Sequence, residues 1–96
     1  MEATVITRHD QGARGEYHAE VPNSAATARL TYQRRGDVLV ADHTFVPPEA
    51  RGRGIAEQLV KALIDDARKD GARIVPQCSY VEAQFRRHPE WADLRA

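Results

Sequence analysis

The spacing of hydrophobic and polar positions divides the chain into two halves with different periods. Val5-Ile6-Thr7 is a short β-prone run, closed by His9-Asp10-Gln11-Gly12. From Gly15 to Val21, Tyr17, Ala19 and Val21 alternate with Glu16, His18 and Glu20, the period of two of a half-buried strand. Pro22-Asn23-Ser24 reads as a turn. Alternation resumes over Ala26 to Arg34, with Ala26, Ala28, Leu30 and Tyr32 on one face. Arg34-Arg35-Gly36-Asp37 is a hairpin-like turn, and a strand follows from Val38 to Val46. Short turns cannot join parallel strands, so this half predicts an antiparallel meander.

Val46-Pro47-Pro48 ends the alternation, because proline cannot donate to a ladder. From Gly54 onward Ala56, Leu59, Val60, Leu63 and Ala67 recur at helical spacing, supported by Ile55 and Ile64. Arg68 and Lys69 suit the last turn of that helix, and Gly71 suits the residue that ends it. Ala72 to Val75 is a short strand. Strand, helix and strand in succession imply a right-handed crossover with parallel strands. Beyond Pro76, Ser79 or a neighbour caps a second helix with Val81 and Phe85 inward. Pro89 ends it or opens a final turn containing Trp91 and Leu94. The fold class is therefore α+β: a meander, a β-α-β crossover and a C-terminal helix.

Composition changes this picture little. A chain of 96 residues with 42% hydrophobic and 29% charged positions fits one globular domain spanning 1–96. Fourteen Lys+Arg balance 14 Asp+Glu, which argues against generic nucleic-acid binding but not against a local anion site. The lone Cys78 excludes an intrachain disulfide and a multi-cysteine zinc site. No His pair or carboxylate cluster has ligand spacing, so no metal is expected. Met1-Glu2-Ala3-Thr4 opens no signal peptide, and no apolar run approaches the roughly 18 residues of a membrane span. A cytoplasmic protein without a membrane partner is the expectation; the oligomeric state is left open.

The strand-to-helix junction, Val46-Pro47-Pro48-Glu49-Ala50-Arg51-Gly52-Arg53-Gly54-Ile55-Ala56, carries the chemistry. The first amides of a helix lack intrahelical partners and sit at the positive end of its dipole. Gly52 and Gly54 let an anion approach the backbone, and Arg51 and Arg53 add charge and forked donors. The junction is neither a Walker A loop nor a complete Rossmann fingerprint. Arg51-Gly52-Arg53-Gly54-Ile55-Ala56 does match Arg or Gln, two free positions, Gly, one free position, then Gly or Ala. That resembles the pyrophosphate-binding pattern of the GNAT family of N-acetyltransferases. Pro76-Gln77-Cys78-Ser79-Tyr80-Val81 and Arg86-Arg87-His88-Pro89-Glu90-Trp91 look like the family's small YjdJ-type subgroup, and the likeness runs from about Val5 to Leu94.

The resemblance implies a minimal acyl-CoA N-acyltransferase fold that uses acetyl-CoA as co-substrate. The pyrophosphate would lie on the backbone between Gly52 and Ala56. The strand ending at Val46 would splay from the strand at Ile74-Val75, with the pantetheine arm in the gap and the thioester near Pro76-Gln77-Cys78. Typical members place two helices between their first strands, where residues 8 to 15 are too few here, and add two strands beyond the point where this chain ends at Ala96. Those parts usually build the acceptor site, so an open, shallow site suited to a macromolecular or promiscuous acceptor is expected.

Three side chains are candidates for catalysis. Cys78, at the expected start of the second helix, could take up the acetyl group as an activated thiolate; its plainer reading is a small buried hydrophobe. His43, on the strand leading to the glycine-rich loop, could serve as general base or be a hydrogen-bonded strand histidine. Strand alternation would set Asp42 and His43 on opposite faces, so that only one faces the site. Tyr80 could protonate the departing thiolate, a role the family gives to a somewhat later tyrosine, or be a packed aromatic. Arg86 and Arg87 are solvated or reach the CoA 3′-phosphate. Glu57, Asp65 and Asp66 read as the polar helix face, and Phe85 and Trp91 as packing anchors. His88 reads as a cap, His9 and His18 as surface residues. Acetyl transfer to an amine is the leading reading, a non-catalytic acyl-CoA-binding module the second, and an arginine-based adaptor the third.

Overall fold

The meander is built as its alternation requires. In the computed structural model, which describes residues 4–21 and 23–96, β1 (Ile6–Asp10), β2 (Arg14–Glu20), β3 (Thr27–Arg35) and β4 (Val38–Phe45) pair antiparallel in chain order. Pro22 of the expected turn, and residues 1–3, where no leader is expected, lie outside the described residues. The chain then crosses over through α1 (Ile55–Asp70) to β5 (Arg73–Pro76), parallel to β4 at the edge of a five-stranded sheet in the order β1-β2-β3-β4-β5. α2 (Ser79–Arg87) and a 3₁₀ turn at Pro89–Leu94 complete the chain. Beside β5, the Ala96 amide donates to the Ile74 carbonyl at 2.9 Å.

β1 continues through His9 and Asp10, beyond its apolar run, because cross-strand partners hold it. His9 pairs with Glu16 and Asp10 with Gly15, and the Asp10 carboxylate accepts the Gly12 amide at 2.8 Å to close the turn. Gly15 is required there, since a Cβ would overlap the Tyr32 hydroxyl.

α1 holds the sheet's apolar face. Ile55, Leu59, Val60, Leu63, Ile64 and Ala67 are buried in one core with Tyr17, Leu30, Leu39 and Ile74. Each large aliphatic side chain there contributes about 1.5–3 kcal/mol. The helix ends where Gly71 takes a left-handed conformation, φ 67°. α2 adds Val81 and Phe85 to the same core, and Trp91 packs edge-on against Phe85 with ring centres 5.9 Å apart. The C-terminal segment is tied down by Arg95 on Glu82 at 2.9 and 3.1 Å, and by Arg68 on Asp93 at 3.0 Å.

A charged staple joins β1 to the C-terminal half of α1. Arg8 donates to the Tyr32 hydroxyl at 3.0 Å and to Asp70 at 3.3 Å, and its guanidinium lies 3.4 Å from Asp66. Tyr17 donates to Asp66, and Tyr32 to Asp10, both at 2.8 Å. Burial, and then the bond to Asp66, push the Tyr17 phenol well above its ordinary range.

The opposite face of the sheet carries no helix among the described residues. Glu16, His18, Arg29, Thr31 and Gln33 stand on it, out of step with buried Tyr17, Ala19, Leu30 and Tyr32. The β1–β2 connection, too short for the two helices typical of the resembled family, leaves that face open.

Candidate functional site

β4 is longer than its parallel neighbour, and that mismatch makes the site. The β4–β5 ladder ends at Ala41 opposite Pro76, and the Cys78 amide closes it by donating to the Ala41 carbonyl at 2.8 Å. The chain then turns into α2, whereas β4 continues to Phe45. The gap between the end of β4 and α2 is an open cleft of about 440 Å³. Its walls are Thr44, Phe45 and Val46 on one side and Tyr80, Gln84 and Arg87 on the other, with Ala50, Arg51, Gly52 and Gly54–Glu57 between them.

The loop beneath the cleft is shaped by two prolines and two glycines. Pro47 and Pro48 stop the strand, and a 3₁₀ turn at Pro48–Ala50 buries Ala50. Arg51 Nε donates to the Val46 carbonyl at 3.3 Å, pinning the loop to the strand end. Gly52 and Gly54 are left-handed, φ 83° and 75°, and a Cβ on either would meet nothing within 4 Å. Gly54 precedes α1 without any side-chain cap, and the first intrahelical bond runs from the Gln58 amide to Gly54 O at 3.2 Å. The amides of Gly52, Gly54, Ile55, Ala56 and Glu57 have no hydrogen-bond partner among the described residues. Converging donors, the positive end of a 16-residue helix and open space above two glycines fit a phosphate or pyrophosphate. Among the described residues, Glu57 is the one carboxylate on the cleft wall.

α2 supplies the opposite wall. The Tyr80 hydroxyl accepts a 3.2 Å hydrogen bond from Gln84 Nε2. Its own proton has no acceptor among the described residues. Burial, and then the Glu57 charge, push the phenol upward, and Arg87 opposes them. Tyr80 therefore holds its proton at neutral pH. Gln84 is 3% exposed, although it lines the cleft.

The cleft gathers most, but not all, of the residues singled out by sequence. Val46, Arg51, Gly52, Gly54, Ile55, Ala56 and Tyr80 line it; Arg53 is exposed and does not. Cys78 sits half-buried at the N-terminus of α2, behind the wall, where its Sγ donates to Thr44 Oγ1 at 3.6 Å. Arg87 joins the wall, while Arg86 is exposed and lies 3.5 Å from Glu82. His88 caps α2, donating its amide to the Gln84 and Phe85 carbonyls, and stacks on Trp91 at 3.9 Å.

The expectation about Asp42 and His43 needs correction. Thr31 pairs with His43 and Tyr32 with Ala41, so Asp42 is an extra residue in β4, a β-bulge. The bulge breaks the alternation and puts both side chains on the face without helices. Asp42 accepts from Thr31 Oγ1 at 2.6 Å and from Gln33 Nε2 at 3.1 Å, and His43 is exposed and outside the cleft lining. The bulge also turns Thr44 inward, opposite Leu30.

Thr44, Phe45 and Gln84 are wall residues that sequence reasoning missed. Gln84 had a signal: with Val81 and Phe85 it falls on the inward stripe of α2, where a polar side chain is out of pattern. Thr44 had none, because its orientation follows from the bulge.

Comparison with known proteins agrees with this geometry. Residues 16–94 match the family model described as GCN5-related N-acetyl-transferase. Protein NATD1 of Bos taurus is 30% identical over 86 residues, 88% of this chain and 75% of that one. Protein NATD1 of Mus musculus is 29% identical over the same length, covering 77% of its own chain. The solution structure of a GCN5-like protein from Staphylococcus aureus superposes on the whole of this chain and 91% of its own, with a TM-score of 0.75 at 23% identity.

Proposed function

The chain belongs to the GCN5-related N-acetyltransferase family, and from that premise we propose that it transfers the acetyl group of acetyl-CoA to an amine. One observation carries the reading: the gap opened where β4 outlasts β5 is floored by unpartnered amides and walled by a tyrosine with an unspent proton. In this reading the amides from Gly52 to Ala56 hold the pyrophosphate, with Arg51 and Arg87 adding charge. The free edge of β4 at Thr44–Val46 aligns the pantetheine arm as an added strand would.

The amine nitrogen attacks the thioester carbonyl carbon, the C–S bond breaks, and the departing sulfur takes the Tyr80 proton. The amine loses its own proton to water, which an open cleft admits. Cys78 gives this scheme a second route, since from behind the wall its Sγ reaches Thr44, a residue of the cleft lining, at 3.6 Å. In that route the Cys78 thiol gives its proton to water as its sulfur attacks the same carbonyl carbon. The C–S bond to CoA breaks, and CoA leaves as the thiol on the Tyr80 proton. The amine then attacks the cysteine thioester, whose C–S bond breaks, while water takes the amine proton and returns one proton each to Cys78, restoring its thiol, and to Tyr80. Intact-mass measurement after incubation with acetyl-CoA separates the routes: an acetyl adduct lost in Cys78→Ala supports the covalent one. No adduct, with full turnover in Cys78→Ala, leaves direct transfer.

The decisive experiment pairs CoA titration calorimetry with thiol release from acetyl-CoA across a panel of amines. Saturable binding and amine-dependent release are expected. Binding without release would make the protein an acyl-CoA-binding module. Binding undiminished in the double variant Arg51→Ala/Gly54→Val would overturn the phosphate site itself.

A further inference from the structure

The feature of the cleft left unexplained is Gln84. It is 3% exposed, and its Oε1 is buried without a hydrogen-bond partner among the described residues. A buried, unpaired carbonyl oxygen is destabilising. Its neighbours on the inward stripe, Val81 and Phe85, are apolar, and a methionine of equal length would fill the same space without that cost. What the glutamine gains is one bond, from Nε2 to the Tyr80 hydroxyl at 3.2 Å. The bond spans one helical turn, so the backbone of α2 fixes its geometry.

A phenol oxygen can donate one hydrogen bond and accept others. Gln84 donates, so it occupies the accepting side of Tyr80 and leaves its proton free. An acceptor in the same place would capture that proton. We propose that Gln84 is a positioning residue, which orients the Tyr80 hydroxyl as a hydrogen-bond donor toward the departing sulfur. The inference rests on Tyr80 acting as the proton donor and goes beyond it, because no contact between Gln84 and substrate is required. Its unpaired oxygen is then a stability cost retained for that orientation.

The test compares wild type, Tyr80→Phe and Gln84→Met in steady-state turnover, CoA calorimetry and thermal melting. If Gln84 positions Tyr80, Gln84→Met lowers kcat about tenfold. It leaves the Kd for CoA unchanged and melts at the same or a higher temperature, having lost an unpaired oxygen. Gln84→Glu, an acceptor of the same shape, should be slowed at least as much above the pKa of the new carboxyl and recover as pH falls through it. A purely structural glutamine predicts the opposite split, a lower melting temperature with kcat unchanged, and that overturns the inference. Slow Tyr80→Phe with Gln84→Met at the wild-type rate removes Gln84 alone. Tyr80→Phe at the wild-type rate, or a wild type without turnover, removes the tyrosine reading and this inference with it.

Discussion

The two ends of α1 treat polar groups in opposite ways. At its C-terminal half, Asp66 and Asp70 meet Arg8, Tyr17 and Tyr32, and these side chains bond to one another. At its N-terminus, the amides of Gly52, Gly54, Ile55, Ala56 and Glu57 and the Tyr80 proton have no hydrogen-bond partner among the described residues. The first end spends its hydrogen bonds on joining β1 to the helix. The second leaves donors unspent around an open cleft. The first end is mostly paired, although Arg8 Nη2 makes no hydrogen bond among the described residues and has only an ion-pair contact at 3.3 Å to Asp10; the second leaves its donors facing open space, as the proposed ligand site requires.

The sharpest way to break this contrast is to unpair the first end. Arg8→Met leaves Asp66, Asp70 and Asp10 without their common cation, and should cost about 2–3 kcal/mol. For a domain of this size that lowers Tm by roughly 8–24 °C. CoA affinity measured below the transition should not change; a parallel loss would show that the two ends are coupled. At the other end, Gly54→Val should weaken CoA binding about 50-fold, by filling the space above the amides. Its left-handed backbone (φ 75°) adds a stability cost of about 1–2 kcal/mol. If Tm falls but calorimetry shows full affinity, the N-terminal amides are not the ligand site.

Tyr17→Phe removes one bond from the staple and should cost about 1 kcal/mol at neutral pH, read from urea unfolding. The folded protein holds the Tyr17 proton more tightly than the unfolded chain does. The stability from that difference is complete below about pH 10, the ordinary phenol value, and is lost progressively as pH rises above it toward the raised value of the folded state. Tyr17→Phe should therefore flatten the alkaline fall in Tm.

The smallest effect lies at Asp10. The Gly12 amide first, then the Tyr32 hydroxyl and Arg34, hold its carboxyl down at about 2, against an ordinary 3.8. Its contribution is present above about pH 4 and lost as pH falls toward 2. Asp10→Asn should shallow the acid limb of a Tm–pH profile by a degree or two; an unchanged limb would show that the carboxylate adds nothing to the turn.

Reading the sequence went furthest where local physics decides. The bracket of Gly54 and Gly71 around a 3.6-period stripe located α1, and Pro47-Pro48 located the end of β4. The shape of the glycine-rich loop was legible for the same reason, since its prolines, glycines and helix start are neighbours in the chain. Asp42 was not legible, because a bulge depends on register against β3 and leaves no mark in the alternation of β4 itself. Gln84 was visible only as a break in a pattern; that it holds Tyr80 by one bond while its oxygen stays unpaired required packed neighbours.

By itself, then, the sequence determined the elements, their order and the glycine-rich loop before α1, because these rest on periodicity, proline and glycine within a few residues. Only the tertiary structure decided the cleft. Its width comes from where β5 stops pairing with β4, its wall from how α2 settles on the core, and the places of Thr44 and His43 from one extra residue in a strand. Each is set by contacts between segments far apart in the chain, where no local preference of either segment can fix the answer.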